Sequence, residues 1–185
     1  DQGSLMDTYF GGSNQTATAF QWQVPNNQNG SAGGVTLVAS RMYLVPFIVT
    51  NKMIASEFMT SVTTAAAEAS VYAALCERIS RTEFRVVSDL GSIDASTTGD
   101  KVFTATNIAV PAGTYFMAVI SNGTPVVRGR GTLWSDLGSN FGTANQWLFG
   151  SGTAGVWLNP ITSITASINN ASAPSVMYRT TEDYQ

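Results

Sequence analysis

This 185-residue chain predicts an all-β fold, an antiparallel β-sandwich, on three observations. From Arg41 to Arg128 short apolar or alternating stretches follow one another, each closed by turn residues, which is the pattern of successive strands. Asn122-Gly123, the dipeptide preferred in two-residue hairpins, follows the strongest of these stretches. Charged residues are only 11% of the chain, while Ser, Thr and Asn fill 53 positions, so solubility rests on hydroxyls and amides, as in many β proteins.

Residues 1–16 are polar, with Leu5, Met6, Tyr9 and Phe10 scattered among them, and Gly11-Gly12-Ser13 inside the stretch. They predict an extended N-terminal arm, with 17–185 as a single sandwich domain. The arm is either a fraying terminus or a segment that docks on a neighbour through its apolar residues. Thr18 to Val24 alternates in part and predicts a first strand; Pro25 to Gly34 predicts a loop, and Val35 to Val38 a short strand.

Arg41 to Val49 is apolar on both alternating faces: Met42, Leu44 and Ile48 on one, Tyr43, Val45, Phe47 and Val49 on the other. Such a strand is covered on both sides or lies at a subunit contact, and Pro46, lacking an N–H, points to a bulge or a sheet edge. After the Asn51-Lys52 turn, Ile54, Phe58 and Val62 share a face of the next strand. Residues 65–80 are ambiguous. Val71, Leu75 and Ile79 suit a helix at i, i+4, i+8, whereas Val71, Ala73, Leu75 and Ile79 also share one face of a strand. The flanking β segments favour a strand over 70–79.

Glu83 to Val87 predicts a short strand, Asp89 to Asp100 a polar loop, and Lys101 to Ile108 an alternating strand. Pro111-Ala112-Gly113 turns into the core strand Thr114 to Ser121, and Thr124 to Val127 is expected to pair back on it across the Asn122-Gly123 hairpin. Short β pieces follow at Leu148-Phe149, Val156 to Leu158 and Ile161 to Ile168.

Composition excludes several chemistries. There is no histidine, which removes Ser–His and Cys–His nucleophiles and imidazole metal ligands. Cys76 is the single cysteine, so neither an intrachain disulfide nor a cysteine zinc site forms. The net charge is −3, with lysine only at Lys52 and Lys101, which argues against nucleic acid as a partner. No apolar run nears the ~20 residues of a membrane-spanning helix, so no membrane insertion is expected.

Each sharper motif has a plain alternative. Gly150 to Gly155 matches G-x-G-x-x-G, but Val156-Trp157-Leu158-Asn159-Pro160 is no helix, so it reads as a turn. Arg128-Gly129-Arg130-Gly131 lacks a surrounding basic patch and reads as a strand end with solvated arginines. Asp89, Asp94 and Asp100 match no calcium-loop spacing. Residues 134–157 carry Trp134, Phe141, Trp147, Phe149 and Trp157 among Asp136, Asn140, Asn145 and Gln146, a mixture that binds sugars through ring stacking and hydroxyl hydrogen bonds, or that simply packs a core or interface.

The Arg41–Arg128 stretch resembles a β-sandwich domain of tailed-phage virion proteins found in tail fibres, spikes and head appendages. The resemblance rests on Tyr43-Leu44-Val45-Pro46-Phe47, the Val62 to Ala67 bend, the Leu75 strand, Val110 to Tyr115 and Ser121-Asn122-Gly123. It covers about half the chain and carries no catalytic signature, and Glu68-Ala69-Ser70 replaces the Gly and polar residues usual after the alanine run. It implies a jelly-roll-like sandwich, often trimeric, at exposed parts of a virion. The expectation is therefore a non-enzymatic, cofactor-free virion-surface protein: a homotrimeric fibre or spike component that contacts other virion proteins and attaches to a host-surface glycan. Trp134, Asp136, Asn140, Phe141, Asn145 and Trp147 are the candidate glycan residues. One alternative is a head decoration protein docking through Leu5, Met6, Tyr9 and Phe10; another is a secreted carbohydrate-binding module.

Overall fold

The computed structural model describes residues 28–29, 33–49, 51–80, 82–132, 147–169 and 172–180. The expected N-terminal arm and the strand at 18–24 lie outside them. All regular structure among the described residues is β: β1 (Gln28–Asn29), β2 (Gly34–Thr36), β3 (Arg41–Val49), β4 (Met53–Thr64), β5 (Ser70–Arg78), β6 (Phe84–Asp94), β7 (Gly99–Val102), β8 (Ile108–Val110), β9 (Gly113–Ser121), β10 (Val126–Thr132), β11 (Trp147–Ser151), β12 (Ile164–Asn169), β13 (Ala173–Pro174) and β14 (Met177–Thr180).

The strands form two antiparallel sheets packed face to face. In one, β2 pairs β10, β10 pairs β4, and β4 carries β7 and β8 on its far side. In the other the order is β12-β11-β3-β9-β5-β6. The chain alternates between sheets from β2 to β5, returns with β7, and alternates again through β8, β9 and β10. The facing orders β2-β10-β4-β7/β8 and β3-β9-β5-β6 are those of a jelly roll. β11 and β12 widen the second sheet beyond β3; β1, β13 and β14 extend the first along β10 and β4.

The main core lies between the sheets. Tyr43, Val45, Phe47 and Val49 of β3, Val71, Ala73 and Leu75 of β5, and Met117 and Val119 of β9 meet Phe58, Val62, Phe103, Val127 and Tyr178 from the facing side. A second cluster covers the outer face of the six-stranded sheet: Met42, Leu44, Ala74, Cys76, Phe116, Ala118 and Ile120 lie beneath Ile161 and Ile164. The β11–β12 connection thus covers this face, and β3 and β9 are buried on both sides within one chain. The two-sided apolar pattern of β3 is satisfied without a partner subunit.

Glycine lets the cover sit close. A Cβ on Gly152 would approach Met42 to 3.0 Å, and one on Gly155, at φ 78°, would come within 3.0 Å of the Tyr72 ring. The G-x-G-x-x-G run is therefore a turn that hugs the sheet. Ile161 exchanges both backbone hydrogen bonds with Phe84, at 2.7 and 3.0 Å, and the Trp157 indole N–H donates to the Asp89 carboxylate at 3.1 Å.

The ambiguous segment is a strand over 70–78, with Val71, Ala73 and Leu75 in the main core and Ala74 and Cys76 in the outer cluster. Ile79 lies past the strand end and is exposed. Several expectations are corrected. β6 runs on through Asp94, so the loop expected at 89–100 shrinks to the residues between β6 and β7. Two bulges on this edge strand, at Leu90 and Val87, break the alternation that would have marked it. The strand expected at 101–108 is interrupted between β7 and β8, where Phe103 and Asn107 donate individually to Phe58 and Ser56 carbonyls.

Asn122-Gly123 closes no hairpin. β9 lies between β3 and β5, and β10 belongs to the opposite sheet, so this is a crossover. The Asn122 carboxamide oxygen accepts from the Ser70 N–H at 2.7 Å and the Ser121 hydroxyl donates to the Ser70 carbonyl at 2.9 Å, tying the crossover to β5. Phe58 and Val62 do share the core face of β4, but Ile54 leaves it and Met53 and Ala55 enter. A bulge at Ser56, between the Glu57–Arg179 and Ala55–Thr180 pairs, flips the alternation, and the Ser56 hydroxyl donates to the Arg179 carbonyl at 3.0 Å. At Pro46 there is no bulge. β3 keeps unbroken register with β9 from Met42 to Val49, and its described pairing with β11 stops at Leu44, so Pro46 lies where β3 passes out of that ladder.

Candidate binding cleft

β3 begins immediately after a tight turn. Ser40 adopts the left-handed conformation at φ 61°, the Arg41 N–H donates to the Val38 carbonyl at 3.0 Å, and Ser40 is held by Ser121 and Gly152 through backbone bonds of 2.9 and 3.0 Å. Arg41 pairs with Ser151 of β11. By strand alternation Arg41 shares the face of Tyr43 and Val45, but it sits at the end of the sandwich, where that face opens to solvent.

At this opening β2 of one sheet and β3 and β11 of the other part around a cleft of about 360 Å³. Tyr43 and Trp147 wall it, Val35 and Val38 add apolar surface, and Thr36, Ser172 and Arg41 supply polar groups. The Tyr43 hydroxyl is already engaged: it accepts from the Val38 N–H at 3.0 Å and donates to the Thr36 carbonyl at 3.4 Å. The tyrosine is thus a rigid wall. The Arg41 guanidinium carbon lies 5.3 Å from the Phe149 ring centroid, a cation–π contact that holds the charge at the cleft mouth.

Of the glycan candidates, only Trp147 falls among the described residues. It is 3% exposed, its ring 5.0 Å from that of Tyr43 and 6.0 Å from that of Phe149. Its faces are therefore packed, and it contributes to the cleft wall without offering a broad stacking platform. Trp134, Asp136, Asn140, Phe141 and Asn145 lie outside the described residues, as do Leu5, Met6, Tyr9 and Phe10. Arg41 was not a candidate in the sequence. An arginine opening an apolar strand looks like any solvated strand end, and only the sheet pairing shows that it stands at a cleft.

The aspartates do not converge. Asp89 accepts from Gly91 N–H and Trp157, while Asp94 accepts from the Ser96 N–H at 2.8 Å. Hydrogen bonds from Ser96, with Lys101 nearby, hold the Asp94 carboxyl below its ordinary value. Among the described residues no three His, Cys, Asp or Glu side chains are grouped to hold a metal, and no helix is long and apolar enough to cross a membrane. Arg128 is an exposed residue of β10, and Arg130 beside it is half-buried.

A second cavity of about 390 Å³ lies on the outer face, lined by Met42, Val156, Leu158 and Ile161 among others. Val156 and Leu158 are 53% and 59% exposed, an apolar lip on the covering segment. Cys76 lies beneath this cover, and burial pushes its thiol up to about 12, so it is inert as a nucleophile near neutral pH.

No protein-family model matches the chain, and no curated protein matches it in sequence.

Proposed function

We propose that this chain is a non-enzymatic structural protein of a tailed-phage virion, displayed on a fibre or spike, whose jelly roll attaches to a host-surface glycan. The observation that carries the reading is the pairing of jelly-roll connectivity with a polar-rimmed aromatic cleft at the open end of the sandwich. Double-sheet jelly rolls recur in viral coat proteins and in lectins, and function on such a fold resides in its clefts and loops. The stretch that resembles phage virion domains runs from β3 into β10, across most of the jelly roll.

A homotrimer at the virion surface is part of the proposal. The burial of β3 within one chain moves the expected subunit contact away from that strand, and the lip formed by Val156 and Leu158 is an exposed apolar surface that suits it. Adsorption tests the reading. Labelled protein mixed with a panel of bacterial strains should be depleted from solution by at least one of them, and periodate oxidation of the cell surface should abolish the depletion. Depletion unaffected by periodate would rule out a glycan receptor.

A further inference from the structure

We infer that the Arg41 cleft takes an anionic sugar: a single saccharide unit whose carboxylate or phosphate group pairs with the Arg41 guanidinium. This rests on the glycan-attachment reading above and specifies its ligand class. The first argument is charge. The chain carries nine Lys and Arg against twelve Asp and Glu, and two of the arginines are neutralised locally, Arg85 by Glu77 and Arg179 by Glu57. No acid stands among the residues described as lining the cleft, so Arg41 sets its sign. An arginine fork matches the geometry of a carboxylate or phosphate.

The second argument is preorganisation. Arg41 is the first residue of a strand whose backbone is held by Val38 and Ser151, and the Phe149 ring supports one face of its guanidinium. Contact with the ring restricts the side chain while leaving its in-plane N–H donors to a ligand. The third argument is fit. At about 360 Å³ the cleft is near the lower end of the ~300–1,000 Å³ range for small-molecule sites, which suits one sugar unit. Thr36 and Ser172 can bond ring hydroxyls and Val38 can meet a C–H face.

The test is calorimetric titration of the full chain with three probes: digalacturonate, glycerol phosphate and neutral maltose. Saturable binding is expected for at least one anionic probe, with maltose at least tenfold weaker. Whichever anion saturates identifies the substituent. Arg41→Gln should weaken that binding by about tenfold or more, the loss expected for a charge-assisted hydrogen-bond pair. Arg41→Lys should fall between, and Arg128→Gln, on the exposed part of β10, should change nothing. Arg41 is exposed, so these variants should melt with the wild type. Equal binding of maltose, or equal losses in the Arg41 and Arg128 variants, overturns the inference. So does absence of anion binding by a protein that still adsorbs to cells, and that outcome leaves the attachment reading standing. Failure to adsorb to any cell or immobilised polysaccharide removes the reading itself.

Discussion

Replacing Ile161 with alanine tests whether the β11–β12 connection is a structural layer or a loose flap. Ile161 is buried against Phe84 and Phe116 in the outer cluster. The substitution removes three carbons, at roughly 0.8 kcal/mol each for lost burial. Incomplete collapse of the site adds a cavity term, so the total should be about 3 kcal/mol, inside the range for such truncations. The two backbone bonds to Phe84 remain, so the change isolates packing. Urea denaturation followed by tryptophan fluorescence measures the global effect. Cys76, the single cysteine, gives an independent probe because it is wholly buried in the same cluster. If the cover opens to expose it, labelling by a thiol reagent should accelerate about a hundredfold in the variant, the population change that ~3 kcal/mol implies. A loss below ~0.5 kcal/mol with unchanged labelling would refute the layered reading of this face.

Further predictions concern the β6 edge, the crossover and pH. Gly91→Ala should cost at least ~2 kcal/mol by thermal melting, because φ is 80° and a Cβ would fall 1.8 Å from the Thr104 hydroxyl oxygen. Asn122→Ala removes the acceptor of the Ser70 N–H and should cost ~1 kcal/mol, lowering the melting temperature by roughly 2–4 °C; no shift would deny the crossover tie. Because burial raises the Cys76 thiol from 9.0 to about 12, the folded state holds a proton that the unfolded state releases. Its stabilising contribution is complete below about pH 9 and is lost as pH rises towards 12. Cys76→Ala should therefore flatten the alkaline fall of stability in denaturation curves taken across that window.

The sandwich was legible because its central strands are locally consistent. β3 and β9 carry unbroken apolar runs, and only burial on both faces accommodates them. Where reading failed, a tertiary feature had displaced the local signal. The bulges at Val87 and Leu90 put polar residues on an edge strand out of step, so the half of β6 from Asp89 onward carries the signature of a loop although its first half, to Val87, is legible as a strand. Asn122-Gly123 has the composition of a hairpin, but the choice between hairpin and crossover belongs to the partners of β9, which are β3 and β5. Residues 65–80 satisfied helix and strand periodicity alike, and the sheet decided between them through the β6 and β9 ladders. The cleft was the least legible part. Trp147 stands out for its ring, yet Tyr43, distant in sequence, packs on it together with Phe149 of the same strand and turns it into a wall, while Arg41 gains its place only from the meeting of β2, β3 and β11.

Attachment to a host surface is open to a two-arm retention experiment. Labelled protein is offered in parallel to intact bacterial cells and to phage particles stripped of this chain. Retention on cells is expected, competed by soluble surface polysaccharide and weakened by Arg41→Gln. Retention on particles alone, with none on cells, would contradict it and make the chain a decoration protein of the virion.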